Sequence, residues 1–146
     1  MAQEIQLSLT VHSVIDNLSD SGLPDGDPEI SIFTTDGTLL IAEKGIKLAF
    51  TERSESDSST STLFVKDGDV RLFKRGAIEV DMHFSEGETS RTLYRVGPYT
   101  FDMDISTKKI RCSLDERGGE LQLIYSMNVG GQEKNVRMKI TAKGKR

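Results

Sequence analysis

The chain has 146 residues, a formal net charge of −4 and one cysteine, with 36% hydrophobic and 29% charged residues. That length suits one domain with a core that needs no staples, and the lone cysteine excludes an internal disulfide. A mildly negative chain argues against polyanion binding, and the modest apolar share suits elements that bury one face and wet the other.

Taken in chain order, the predicted elements share one period. Ile5, Leu7, Leu9 and Val11 alternate with Gln6, Ser8, Thr10 and His12. A helix would scatter such a set around its cylinder, whereas a strand puts it on one face. Asp16 to Pro28 follows, with four aspartates, two glycines and two prolines, and reads as a long acidic loop over residues 16–28. Runs near 29–35 and 38–42 come next, separated by Asp36-Gly37, a pair that suits a tight turn. Ile46, Leu48 and Phe50 alternate through a strand near 45–53, and the Ser-rich, acidic stretch 54–59 reads as a hairpin tip. Strands near 60–66 and 69–75 flank Asp67-Gly68, and another near 77–84 carries Ile78, Val80, Met82 and Phe84 on one side.

Ser85 to Glu88, Gly97-Pro98, Arg117 to Gly119 and Gly130-Gly131 mark further reversals. They bound runs near 89–96, 99–106, 109–115, 119–129 and 133–142, ahead of a frayed basic end at 142–146. With two or three runs merging across bulges, the count is about ten strands joined by short links. The fold class is therefore all-β: a single antiparallel meander of about 8–10 strands, closed into a barrel so that no edge is exposed. A two-sheet sandwich is the alternative.

The second half carries a resemblance. The stretch from Val70 to Phe84 is similar to the central strands of the YwiB-like family of uncharacterised bacterial proteins. The spacing of Tyr94, Gly97, the strand Phe101 to Ile105, and Thr107, and then the stretch Gly119 to Met127, resemble it too. The similarity extends over roughly residues 5–142 and is clearest after Leu63; the ordered set carries it, since no single motif is specific. It implies a calycin-like barrel, the architecture of lipocalins, avidins and fatty-acid-binding proteins, and it implies no reaction. The chain departs from the family pattern at one place. Where the pattern has arginine two residues before the glycine, this chain has Lys74, and Arg75 is expected to face the other way.

Candidate site residues follow from parity. Lys74 shares the side of Ile78, Val80 and Met82 unless Gly76 makes a bulge or the lysine snorkels at the strand end. An inward lysine would need a carboxylate partner or an anionic ligand. Tyr94 and Tyr125 could offer hydroxyls to a ligand, although Tyr125 sits on apolar parity and reads equally as core. Arg91 and Arg95 share a face that suits a solvated exterior. Arg75, Lys74, Tyr94 and Tyr125 are thus the candidate ligand-binding set.

No catalytic set emerges. His12 and His83 belong to polar faces and have no cluster at metal-ligand spacing. Cys112, between Ile110 and Leu114, reads as a small buried hydrophobe. Asp20, Asp25 and Asp27 lack the oxygen spacing of a calcium loop. Asp102 and Asp104, about 7 Å apart along one strand, read as solubilising charges. Few aromatics and no basic groove argue against nucleic acid. Met1 to Ile5 lacks the basic start of a signal peptide, and no run approaches the roughly 18 apolar residues of a spanning helix.

The expectation is a cytoplasmic, non-enzymatic barrel without cofactor or metal, holding a small apolar or anionic ligand. A cavity lined by Phe50, Met82, Phe84, Phe101, Met103 and Met127 would suit it. The alternative is a filled barrel acting through its outer face or as a homodimer, with Phe33 and Phe73, which fall off their strands' apolar parity, as the outer patch.

Overall fold

A computed structural model describes residues 3–53 and 57–144. The apolar alternation becomes ten strands: β1 (Gln3–Asn17), β2 (Glu29–Ala42), β3 (Gly45–Arg53), β4 (Ser58–Lys66) and β5 (Asp69–Gly76) in the first half. The second half holds β6 (Ile78–Phe84), β7 (Thr89–Val96), β8 (Tyr99–Cys112), β9 (Gly118–Val129) and β10 (Gln132–Gly144). Each strand pairs antiparallel with the next, and β1 pairs with β10, so the sheet closes into a ten-stranded meander barrel. We call the end carrying the 18–28 loop the upper end. The turns at 43–44, 67–68, 85–88 and 113–117 lie at the lower end.

Two expected turns or breaks are strand instead. Asp36-Gly37 lies within β2, where Gly37 pairs with Leu7 on one side and Phe50 on the other. The glycine serves packing there. A Cβ at position 37 would collide with Cδ1 of Leu9 and sit 3.0 Å from the Ala49 carbonyl. The turn reading does hold at Asp67-Gly68, where both residues take positive φ, 51° and 82°. The runs near 99–106 and 109–115 fuse into β8 across a register shift between Thr107 and Lys109.

The acidic loop is shorter than the composition suggests. Asp16 and Asn17 belong to β1, opposite Asn135 and Lys134, and Leu18 bridges to Pro24 within the remaining segment. The basic end is also not frayed where it is described. Ala142, Lys143 and Gly144 extend β10 against Leu9, Ser8 and Leu7, and Ala142 is buried. Of the hairpin tip expected at 54–59, Ser58 and Ser59 belong to β4, opposite Arg53 and Glu52, while residues 54–56, like 145–146, lie outside the described residues.

Parity fixes what fills the barrel. Leu7, Leu9, Leu39, Leu63, Val70, Phe84, Ile105, Leu123 and Ile140 have no accessible surface at all, and all sit in its middle or lower part. Such side chains border no space that could hold a water molecule, so this part of the interior is solid. Burying each stabilises the fold by about 1.5–3 kcal/mol. Both rims are looser: Ile15, Phe33, Ile78, Tyr94, Met127 and Val129 at the upper end, and Ile5, Ile41, Ile46, Val65 and Ile110 at the lower, are only partly buried. Phe33 therefore points inward, its ring 6.2 Å from that of Phe50, and does not join an outer patch. On β2 the outward residues are Ile30 and Ile32. Phe73 does face outward, edge-on to Phe64 at 5.6 Å.

Closure is uneven around the circumference. Most ladders run nearly the full strand length, but β2–β3 pairs only from Gly37 with Phe50 down to Ala42 with Gly45. The β6–β7 ladder is shorter still, from Ile78 with Val96 to Val80 with Tyr94. In both seams a hydroxyl stands in for the missing ladder bond. Thr35 Oγ1 donates to the Thr51 carbonyl and Ser90 Oγ to the His83 carbonyl, each at 2.9 Å.

Replacing Gly37 with valine should cost about 1–3 kcal/mol, because Leu9 is sealed in the core and cannot yield. The same substitution at Gly131, whose surroundings are open but whose φ is 92°, tests backbone strain alone. Urea unfolding of both variants separates the two costs.

Candidate functional site

One row of cross-strand neighbours crosses the inner face: Phe50, Ser61, Lys74, Val80, Tyr94 and Phe101, on β3 to β8 in order. The row lies where the solid core gives way to the looser upper end. Phe101 is 39% exposed and packs over the turn at Gly130. Lys74 and Tyr94 flank Val80 on that face, two strand spacings or about 10 Å apart.

Lys74 keeps inward parity because Gly76, still paired with Ser59, closes β5 without a preceding bulge. Gly76 takes φ of 134°, and its hydrogen faces the Ser58 carbonyl, where a Cβ could not fit. The ammonium of Lys74 sits 3.8 Å from Glu52 Oε2, with the two side chains 25% and 42% exposed. A loose, part-solvated pair of this kind contributes at most about 1 kcal/mol. It leaves the cation able to exchange partners. Glu52 follows the parity of Phe50, which would have found it from sequence as the lysine's partner.

The other candidates disperse. Tyr94 joins the row, half-buried, and burial raises its phenol above the usual tyrosine range. Tyr125 is part of the solid core, with its ring 4.7 Å from Phe84, and burial pushes its phenol far up. Its cross-strand neighbour Thr107 is 3% exposed, and its hydroxyl has no hydrogen-bond partner among the described residues. That group lies beside the register shift of β8.

Arg75 lies on the outer face. Its guanidinium reaches Asp81 at 2.6 Å and the Lys74 and Val80 carbonyls, over the ring of Phe73. Arg75 is therefore a tie across the β5–β6 corner and is separated by the wall from Lys74.

Elsewhere on the outer face Arg91 grips Asp104 through Nε at 2.7 Å and Nη2 at 3.2 Å. This hydrogen bond lowers the Asp104 carboxyl and raises the Arg91 guanidinium from their ordinary values. His83 Nε2 lies 3.4 Å from Asp69. Cys112, the last residue of β8, is exposed and not the buried hydrophobe expected, although Leu114 two residues on is buried. Among the described residues no group of three or more histidine, cysteine, aspartate or glutamate side chains could hold a metal. Among the described residues no helix is long and apolar enough to cross a membrane.

The model of DUF1934, a domain of unknown function, matches residues 19–141. The chain belongs to that family. It is 28% identical over 145 residues to the uncharacterised β-barrel protein YwiB of Bacillus subtilis (strain 168), covering 99% of this chain and 97% of that protein. The crystal structure of the Bacillus subtilis YwiB protein matches the fold with a TM-score of 0.84 at 26% identity. That match spans 98% of this chain and 94% of the solved one.

The buried tyrosines tie stability to alkaline pH. In the fold Tyr125 stays protonated, whereas in the unfolded chain it ionises near pH 10. Above that pH the unfolded state binds fewer protons, so stability should fall as pH rises through and beyond 10. Tyr125→Phe should flatten the dependence of the urea midpoint between pH 9 and 11, with Tyr94 supplying the remaining slope.

Proposed function

We propose that this barrel is a non-catalytic, cytoplasmic binding protein that takes a small, partly apolar, anionic ligand at the upper end of its inner face. The observation that carries the reading is Lys74, a cation on the inward side of a wall otherwise lined by Phe50, Val80, Tyr94 and Phe101. Its pair with Glu52 is long and part-solvated, so an incoming carboxylate or sulfonate could replace water around the ammonium. The sealed side chains beneath form a floor, which confines a ligand to the upper end and excludes a deep central cavity at Phe84 and Met103. Ligand carriage by calycin barrels supports the class of function by architecture alone. A catalytic role finds no support, since no nucleophile with a base, and no metal cluster among the described residues, joins the row.

Titration with anilinonaphthalene sulfonate, an apolar anion, tests this site. The dye should bind the wild-type chain, and Lys74→Met should weaken it about tenfold or more through loss of a charge-assisted contact. Unchanged affinity in that variant would place the dye elsewhere and defeat the reading. Native mass spectrometry of protein purified from its own host should also show an added mass that denaturation removes and Lys74→Met lacks.

A second reading, a barrel acting through its outer face, is favoured by the Phe64–Phe73 pair, since Phe64 is 41% exposed beside its partner. Under that reading Phe73→Glu should convert a dimer to monomer in sedimentation velocity. An unchanged profile would count against an interface at this pair.

A further inference from the structure

Residues 18–25 form a short, hydrogen-bonded finger at the upper end. Leu18 bridges to Pro24, and the Ser19 and Asp25 N–H groups donate to the Leu23 and Asn17 carbonyls at 2.8 and 2.7 Å. The Gly22 N–H closes the tip on the Ser19 carbonyl at 2.9 Å. Residues 20–28 are exposed throughout, so the finger stands clear of the barrel wall. It presents one large apolar side chain, Leu23 at 65% exposure, in a segment that also carries Asp20, Asp25 and Asp27. No lysine or arginine occurs from Asp16 to Glu29. These three aspartates meet no cation among the described residues.

The complementary surface lies at the other end of the molecule. On the outer face Leu40, Lys47 and Phe64 are cross-strand neighbours on β2, β3 and β4. With Ala42, Lys44 and Lys66 they line a groove of about 300 Å³ at the lower end. The groove wall is apolar throughout, so the lysines line it with their stems and hold their ammonium groups at its margin. Lys47 lies 5.8 Å from the centre of the Phe64 ring. No carboxylate lines the groove, and none of its three lysines is ion-paired among the described residues. In a chain of net charge −4 this is a local excess of the opposite sign.

The finger cannot reach the groove of its own chain. The 14 residues of β2 separate them by roughly 40 Å along the wall. A second copy has no such restriction.

We propose that the acidic finger of one copy docks in the lysine-rimmed groove of another, Leu23 entering beside Leu40 and Phe64 while the aspartates meet Lys44, Lys47 and Lys66. Both parts are formed in the free chain, so little ordering is required on contact. The apolar anchor supplies affinity, and the charges supply orientation and speed of encounter. Groove against groove would set lysine against lysine, so unlike patches meet and the copies associate head to tail. One finger in one groove is smaller than a standard interface, which makes the association concentration-dependent. The proposal rests on the outer-face reading, to which it gives a partner, and is independent of the Lys74 row.

Sedimentation velocity of the full chain at low salt tests it. The wild-type coefficient should rise with concentration and fall back as salt screens the charges. Leu23→Ser and the double variant Lys47→Glu/Lys66→Glu are exposed changes that should leave urea unfolding unaltered. Each should weaken self-association by about tenfold or more. Mixing the two variants is decisive, because one keeps its groove and the other its finger. The mixture should form a one-to-one pair and nothing larger. A wild-type chain that stays monomeric at its highest soluble concentration overturns the proposal, as does a mixture that fails to pair. A dimer that persists in Leu23→Ser also overturns it, yet leaves a symmetric interface through Phe64 and Phe73 standing, since Phe73 lies outside the groove.

Discussion

The ladder between β1 and β10 runs from Leu7 opposite Gly144 to Asn17 opposite Lys134, and it joins the two parts of the chain most distant in sequence. Every other ladder links strands consecutive in sequence, through short turns or, for β1 and β2, through the 18–28 loop. This one carries the largest loop-closure cost, and it converts a curled sheet with two free edges into a barrel with an inside. Inner and outer faces acquire distinct meaning through it: Leu9, Val11 and Ile140 become core because β10 lies beside β1. The basic end of the chain is ordered through Gly144 for the same reason.

Once closed, the barrel is not uniform along its axis. Nine inward side chains in its middle and lower part have no contact with any open space, while the upper inner face keeps a lysine, a carboxylate and several half-buried rings. A cation can sit on an inward position there because water still reaches it; at the level of Phe84 the same charge would be prohibitive. The two seams, each bridged by a hydroxyl on a carbonyl, are the places where the wall itself thins.

Much of this was legible from period two alone. Strand existence, the meander order and inward parity of Lys74 and Tyr94 all follow from alternation, because a residue's face depends only on its offset from known core positions. What alternation cannot supply is which partner a strand meets. Asp36-Gly37 has the composition of a turn, yet it sits between Leu7 and Phe50 in mid-strand, where absence of a side chain makes room for Leu9. In the first part of β2 the more numerous apolar residues, Ile30 and Ile32, point outward, and Phe33 alone points in. A count of apolar residues therefore points to the wrong face there, whereas the register with β1 gives the right one. Parity also fails at Cys112, which is exposed while Leu114 beyond it is buried. The candidate set divided for a plain geometric reason, since Lys74 and Arg75 are adjacent and so lie on opposite sides of the wall.

The two short ladders lie at opposite ends of the barrel, β2–β3 at the lower end and β6–β7 at the upper. Strands β3 to β6 thus form a panel held to the other six strands mainly at two diagonal corners. A panel fixed in that way resists sliding but yields to rocking about the diagonal. Such a rotation would act as a see-saw, spreading one seam while it draws the other together, so that events at the top of the molecule have a mechanical route to the bottom.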